Sequence, residues 1–453
     1  MYLRDVPTDA HNVRNDRHVN ADRVGDDPVA DWASSGLVAL TGRADGPPLV
    51  PPGRAASVAR ALSARFAELT SGSPDSTAAR TAQVDGAVRL DGAALLAERA
   101  AFTGHRRRGT VSAGGACRLL PTADGWAAVS CARPDDPALL GALTCADVGE
   151  DPWPAVTDWL REHTGAELAE RAGLLGVAAG PVRPPTSPPT LPRPLRPRPL
   201  AGLLVVDFSA LWAGPLCAHL LGLAGARIVK VETPQRPDGA RRGNAEFYRL
   251  LHAGHRSVVL DPAAPRGRHA LADLVDAADI VIEASRPRAL AGFGLDAEAA
   301  VAAGTTWVSI TAYGRASGRI GFGDDVAAAN GLVARDTDGT PVFCGDAIAD
   351  PLTGLTAAVL AATAPADGAG VLWDIAMSDV VAATLTPRDP TLAPGGTAPF
   401  SPAARRRNGE WVVDTSSGRV PVAAPRRRQA RGRAPDSGEH TVEVLRELGI
   451  PVP

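Results

Sequence analysis

Asp350 is the residue whose type and setting single it out in this chain as a candidate for chemistry. It stands just ahead of an apolar helical run, Leu355–Ala362, where the helix dipole favours an ionised carboxylate. Such a carboxylate either caps the helix or acts as a nucleophile, and residue type alone favours the cap. Asp346, one helical turn earlier, is open to the same two readings. His252 and His255 are spaced like a metal pair, but no third ligand stands nearby and the local sequence reads as a loop. They are expected to be surface histidines, and no metal is expected. Ser209, Ser309 and Ser378 lack the G-x-S-x-G elbow, which disfavours a serine hydrolase. Cys217 falls in an apolar helical stretch, where a buried structural thiol is the default.

The elements that must position these residues are clearest in the second half. Leu203–Asp207, Arg227–Glu232, Ser257–Asp261, Asp279–Ala284 and Thr306–Ala312 read as short apolar strands. Helical stretches at Ala213–Gly225, Arg266–Ala277 and Pro287–Ala303 alternate with them. This alternation predicts an α/β fold: a Rossmann-like doubly wound parallel sheet. The first strand–helix junction, Ser209–Pro215, carries no GxGxxG, so a standard dinucleotide site loses its main support. The helix start there remains suited to an anionic group. The first half mixes helices (Ala55–Leu69, Trp153–Leu175) with two strands, Cys117–Leu120 and Trp126–Ser130, around a Pro121–Gly125 turn. It predicts a smaller α+β domain.

Nine prolines between Pro181 and Pro199 mark a domain boundary. The expected organisation is a disordered leader (1–30), a small-domain-like region (31–182), a Pro-rich linker (183–199) and a Rossmann-like domain (200–387). A Pro/Arg/Gly-rich linker (388–435) and a C-terminal tail (436–453) with a closing helix at Ser437–Leu448 complete it. Gly36–Ala39 followed by Asp45–Pro48 is echoed by Gly331–Ala334 followed by Asp338–Pro341, a pattern consistent with duplication.

The 453 residues carry 47 basic and 50 acidic groups, net −3, which argues against a nucleic-acid binder. The longest uncharged run, Phe208–Ala226, is interrupted by Pro215, His219 and three glycines. It reads as strand–loop–helix rather than a membrane span, and with no apolar leader a cytoplasmic protein is expected. The triplets Arg106–Arg108, Arg405–Arg407 and Arg426–Arg428 read as solvated surface. Lys230 is the single lysine among the 47 basic residues. The arginine excess itself reads as coding bias.

A set of ordered matches resembles the class III CoA-transferases, the CaiB/BaiF family that includes formyl-CoA transferase and α-methylacyl-CoA racemase. It runs through Pro199–Ser209 with Ala213-Gly214-Pro215, Gly225–Glu232, Arg256–Asp261, Ala278–Glu283, Arg286-Pro287, Gly368–Asp379 and Gly438–Leu445. Gly114–Arg118, Ala123–Trp126 and Gly176–Val182 resemble the family's small domain, so the two parts stand in permuted order. Lys230 falls where the family commonly carries lysine.

The resemblance implies coenzyme A as co-substrate, with an acyl-CoA donor and a carboxylate acceptor. It implies Asp350 as the nucleophile, passing through an aspartyl anhydride and an aspartyl-CoA thioester. Gly114 and Gly115 match a glycine loop that shields these intermediates. Leu211, Trp212 and Ala213 match the CoA-contacting loop. Ala284 and Ser285 replace an Asn-Phe pair that flanks CoA, and Thr233 replaces a CoA-binding arginine. Arg236, Arg241 and Arg286 are the candidates to compensate, since arginine pairs well with phosphate. Asp324 stands where racemases carry a histidine, which disfavours the alternative of an acyl-CoA racemase. A non-catalytic acyl-CoA-binding paralogue is the other alternative. The family's homodimers imply a homodimer here.

Overall fold

Strands that are near-continuously apolar need cover on both faces, and the computed structural model shows that cover. It describes residues 27–71, 88–183, 189–285, 287–386 and 400–453. The sheet contains β1 (Leu204–Asp207), β2 (Arg227–Glu232), β3 (Arg256–Val259), β4 (Ile280–Glu283), β5 (Thr306–Thr311) and β6 (Val371–Ala376). All pairs are parallel, in the order β3-β2-β1-β4-β5-β6. The connection therefore reverses direction between β1 and β4, leaving a crevice outside their carboxyl ends.

Side chains alternate across the sheet, as the period of two requires. Val205, Ile228, Ile280, Ile282, Val308 and Ile310 face one core. Leu204, Val206, Val229, Val231, Val258, Val281 and Trp307 face another. The first core is filled by α1 (Ala213–Leu223) and α3 (Ala349–Ala361), with α2 (Gly323–Ala329) at its margin. The second is closed by helices Pro265–Asp276, Ala297–Ala302 and Thr441–Glu447.

α1 and α3 lie very close. A Cβ added at Gly354 would stand 2.6 Å from the Ala213 carbonyl oxygen and 3.1 Å from Leu216 Cβ. Overpacking of this kind costs about 1–3 kcal/mol. Gly354→Ala is accordingly expected to lower the thermal midpoint by several degrees in calorimetry; an unchanged midpoint would refute the close pairing.

The region 31–182 divides mainly between two cores, with Cys117, Leu119 and Ala128 in a third shared with Ala328, Val333 and Phe343. Helices Pro28–Ser35, Ala55–Thr70, Gly92–Leu95 and Glu98–Thr103 join the core of α1 and α3. The strands Cys117–Thr122, Gly125–Ser130 and Ala179–Pro181 form an antiparallel sheet with a separate core against Asp136–Thr144, Trp153–Glu162 and Gly165–Leu175. The helix expected over Trp153–Leu175 is thus two, because Thr164 and Glu167 make a capping box that starts the second. Pro287–Ala303 likewise breaks into Pro287–Ala291 and Ala297–Ala302, with Asp296 capping the latter.

In the stretch read as a linker, 388–435, the described residues 400–435 are packed structure. Arg405–Arg407, Glu410–Thr415 and Gly418–Pro421 make an antiparallel sheet, and Ala423 N–H donates to the Ala33 carbonyl at 2.9 Å. The echoed segments meet each other: Arg43 pairs with Asp336 and Asp338, and Gly345 N–H donates to Thr41 Oγ1 at 3.2 Å. Among the described residues no helix is long and apolar enough to cross a membrane.

Candidate functional site

Asp350 lies in the first turn of α3, which begins at Ala349, earlier than the apolar run alone indicates. Its side chain caps nothing, and Ile348 at the cap position offers no side-chain bond. The turn before it is unusual: Ala347 has φ +48, a left-handed conformation that costs an alanine about 1 kcal/mol and needs external support. Asp324, in the first turn of α2, gives that support by accepting the Ala347 N–H at 2.8 Å. A Cβ on Gly323 would stand 2.6 Å from Asp350 Oδ2, so the bare backbone there makes room for the carboxylate.

Asp346 is fully buried. Arg99 grips it in a two-pronged pair, Nε to Oδ2 at 2.9 Å and Nη2 to Oδ1 at 2.6 Å. His105 Nδ1 stands 3.2 and 3.3 Å from the same two oxygens. Asp325 is also buried; its Oδ1 accepts from Ser130 Oγ at 2.7 Å and from Phe322 N–H at 2.9 Å. Its Oδ2 has no partner among the described residues.

These carboxyls differ because their surroundings differ. Burial opposes ionisation of Asp346, but Arg99 and His105 outweigh it and hold that carboxyl below the usual range. Among the described residues Asp350 has no such bonded cation. Burial pushes its pKa up to about 7; Arg99 opposes this, and the charges of Asp324, Asp325 and Asp346 reinforce it. Burial likewise raises Asp324 to about 6, with Asp346 adding repulsion, and Asp325 to about 7. The cluster therefore holds one fixed carboxylate and three carboxyls that titrate near neutrality, the property expected of groups suited to attack or proton exchange.

The expected glycine loop lies beside this cluster. A Cβ on Gly114 would come within 3.5 Å of His105 Cε1 and 3.7 Å of Arg99 Nη2. Gly115 has φ +85, and a Cβ there would press on Arg108 Nη1 at 2.9 Å.

The segment Leu211–Ala213 stands at the crevice between β1 and β4. Leu211 is exposed with φ +70. Trp212 is buried, packed edge-on against Phe247 at 5.3 Å and beneath Arg99 at 5.0 Å. One guanidinium thus touches both the crevice loop and the carboxylate cluster. Ala213 adjoins Gly354, one turn after Asp350 on the same face of α3, which sets the loop and Asp350 side by side. Across the crevice are Ala284 and Ser285, the latter with a buried hydroxyl lacking a partner among the described residues.

The arginines are dispersed. Arg236 is exposed near the crevice, while Arg241 is committed to Glu232 at 2.5 Å, to the Pro435 carbonyl at 3.1 Å and to the Tyr248 ring. Arg286 lies outside the described residues. Of the triplets, Arg405–Arg407 is exposed, but Arg428 binds the buried Glu98 through two bonds of 2.8 and 2.7 Å. A cavity of about 460 Å³ lined by Glu283, Arg288, Trp307 and Arg315 opens next to Ala284 and shares no residue with the carboxylate cluster.

His252 and His255 are corrected from surface to interior: both are buried, because Ala245–His252 is an amphipathic helix docked by Phe247, Leu250 and Leu251. Sequence reasoning missed Arg99, His105 and Asp325. Asp325 follows Asp324 directly and was open to notice; nothing local marks Arg99 among 46 arginines.

A family model described as CoA-transferase family III matches residues 16–188 and 200–437. A succinate–glutarate CoA-transferase of Agrobacterium fabrum is 31% identical over 216 residues, covering 42% of this chain and 54% of that protein. A succinyl-CoA–D-citramalate CoA-transferase of Chloroflexus aurantiacus is 30% identical over 207 residues, 42% of this chain and 52% of that protein. A crystal structure of a CaiB/BaiF family protein from Brucella suis aligns with 49% of this chain and 65% of that one, at 27% identity and a TM-score of 0.41. The chain spans about half the length of the curated relatives it matches.

Proposed function

The chain belongs to CoA-transferase family III, and from that premise we propose that it moves coenzyme A from an acyl-CoA to a free carboxylate, with Asp350 as nucleophile. The observation that carries the reading is Asp350 itself: a half-buried carboxylate without a bonded cation among the described residues, just after a strained turn and beside the crevice loop. Poor solvation leaves an ionised carboxylate reactive, and covalent catalysis divides a difficult exchange into easier steps.

In the first step an Asp350 oxygen attacks the thioester carbonyl. The C–S bond breaks, CoA leaves as thiolate, and a mixed anhydride forms. The thiolate then attacks the aspartyl carbonyl, releasing the donor's carboxylate and leaving an aspartyl-CoA thioester. An acceptor carboxylate attacks that thioester in turn, and return of the thiolate to the acceptor's carbonyl frees both the new acyl-CoA and Asp350. Leu211–Ala213, Ala284 and Ser285 would contact CoA at the crevice, and Gly114 and Gly115 would cover the intermediates. Two relatives are named for succinate and glutarate and for succinyl-CoA and D-citramalate. Succinyl-CoA with a dicarboxylate acceptor is therefore the first pair to test.

Hydroxylamine added with succinyl-CoA should convert Asp350 to its hydroxamate, seen by mass spectrometry of the peptide that contains it. CoA binding without that adduct would leave a non-catalytic acyl-CoA-binding protein. Exchange of the α-proton for deuterium without transfer would instead indicate racemase chemistry.

The pH dependence follows from the raised pKa of about 7. Attack needs the ionised form, so single-turnover anhydride formation should rise about tenfold per pH unit below 7 and level off above it. A plateau already reached at pH 5 would contradict this assignment.

A further inference from the structure

We propose that Lys230, the chain's single lysine, is a positioning residue that fixes the crevice loop Ser209–Leu211 in the conformation that receives coenzyme A. The proposal rests on the reading above that Leu211–Ala213, into which this loop runs, contacts CoA.

Lys230 stands on β2 opposite Asp207 of β1, with its side chain buried. Its ammonium lies 3.1 Å from Asp238 Oδ2 and 3.8 Å from Asp207 Oδ2, and it donates a hydrogen bond to the Ser209 carbonyl. Each carboxylate in turn holds the loop with its other oxygen. Asp207 Oδ1 accepts the Ser209 N–H at 2.8 Å and also its hydroxyl. Asp238 Oδ1 accepts the Leu211 N–H at 3.0 Å and the Ala240 N–H at 2.9 Å. One ammonium thus anchors the loop directly at one carbonyl and indirectly at two amides.

The loop needs that restraint. Leu211 is 44% exposed with φ +70, and a leucine persists there only where surrounding contacts over-determine the backbone. The two carboxylates are buried like charges that repel each other and have lost their hydration, so the cation between them is what makes their arrangement tenable.

The residue type matters as well. An ammonium is a compact charge, and here it donates to one carbonyl while lying within ion-pair distance of two carboxylates. A guanidinium spreads its donors over a planar fork and needs more room. In a chain where 46 of 47 basic residues are arginine, Lys230 occupies a place that arginine fits poorly.

The single lysine makes the test direct. In the full-length chain labelled with ¹⁵N-lysine, the side-chain ammonium gives one resonance. Saturating CoA should shift it, and Lys230→Met should raise the KM for succinyl-CoA about tenfold, with kcat changed less than about threefold. Lys230→Arg should resemble Lys230→Met rather than restore KM. Should Lys230→Met fail to fold, the neutral triple variant Asp207→Asn, Lys230→Met, Asp238→Asn removes the buried charges together and should show the same KM defect. An unmoved resonance at saturating CoA, or a folded Lys230→Met with unchanged KM, would overturn the proposal. A loss of melting temperature with unaltered KM would do so too, by assigning Lys230 to stability alone. If the wild-type chain forms no Asp350 adduct yet binds CoA and Lys230→Met weakens that binding, the transfer reading fails and the positioning role stands.

Discussion

Asp350→Asn is expected to reduce CoA transfer by about 10³-fold or more, the scale on which removal of a covalent nucleophile is usually felt. The amide matches the carboxyl in size but is a far weaker nucleophile, so neither anhydride nor hydroxamate should form at neutral pH. The fold should survive, since the Asp350 side chain holds no hydrogen bond among the described residues. Stability supplies an independent check. A carboxyl whose pKa is raised from 3.8 to about 7 on folding binds its proton more tightly in the folded state. Wild-type stability therefore falls as pH rises from about 4 to about 7, and the asparagine variant lacks this decrement. Its thermal midpoint relative to wild type should climb across that interval and then hold steady. Retained transfer in the variant would remove Asp350 from the chemistry.

The second large effect is expected at Arg99. Replacing it with methionine leaves Asp346 fully buried with, among the described residues, His105 as its remaining side-chain partner. Breaking a buried pair on one side costs about 3–5 kcal/mol, because an uncompensated charge remains. Arg99→Met should therefore melt many degrees below wild type, while Arg99→Met with Asp346→Asn should recover most of the loss. A double variant no better than the single one would show that the pairing is not what matters. Arg99 is also a cation that lowers the pKa of Asp350. In the double variant the midpoint of the pH–rate profile records the joint loss of that cation and of the Asp346 charge, two changes of opposite sign.

The sheet was largely legible because parallel strands buried on both faces are near-continuously apolar. Val205, Ile228, Val281 and Val308 announce themselves without any knowledge of the fold. β6 was not read as a strand: Asp374 interrupts its apolar run, and that residue is exposed, accepting the Arg315 N–H at 3.1 Å. The Arg- and Pro-rich stretch near residue 420 resembles a spacer by composition, yet it is fastened by Arg426 to Asp91 and Arg428 to Glu98. Composition does not report partners more than three hundred residues away. The same limit governs the site. Asp350, Asp324, Gly114 and Gly115 were identified from local patterns and a family resemblance. Arg99 and His105 acquire meaning only from Asp346, 247 and 241 residues distant.

That separation sets a timetable for the growing chain. At about 5–20 residues per second, a ribosome takes about 12–50 s to travel from Arg99 to Asp346. Throughout that interval the helix Glu98–Thr103 has neither Asp346 for its arginine nor Arg428 for its glutamate. Both charges must stay hydrated until the later segments emerge, so this helix can dock only near the end of synthesis. An interrupted translation product would then carry the covering loop and the crevice without the carboxylate they surround.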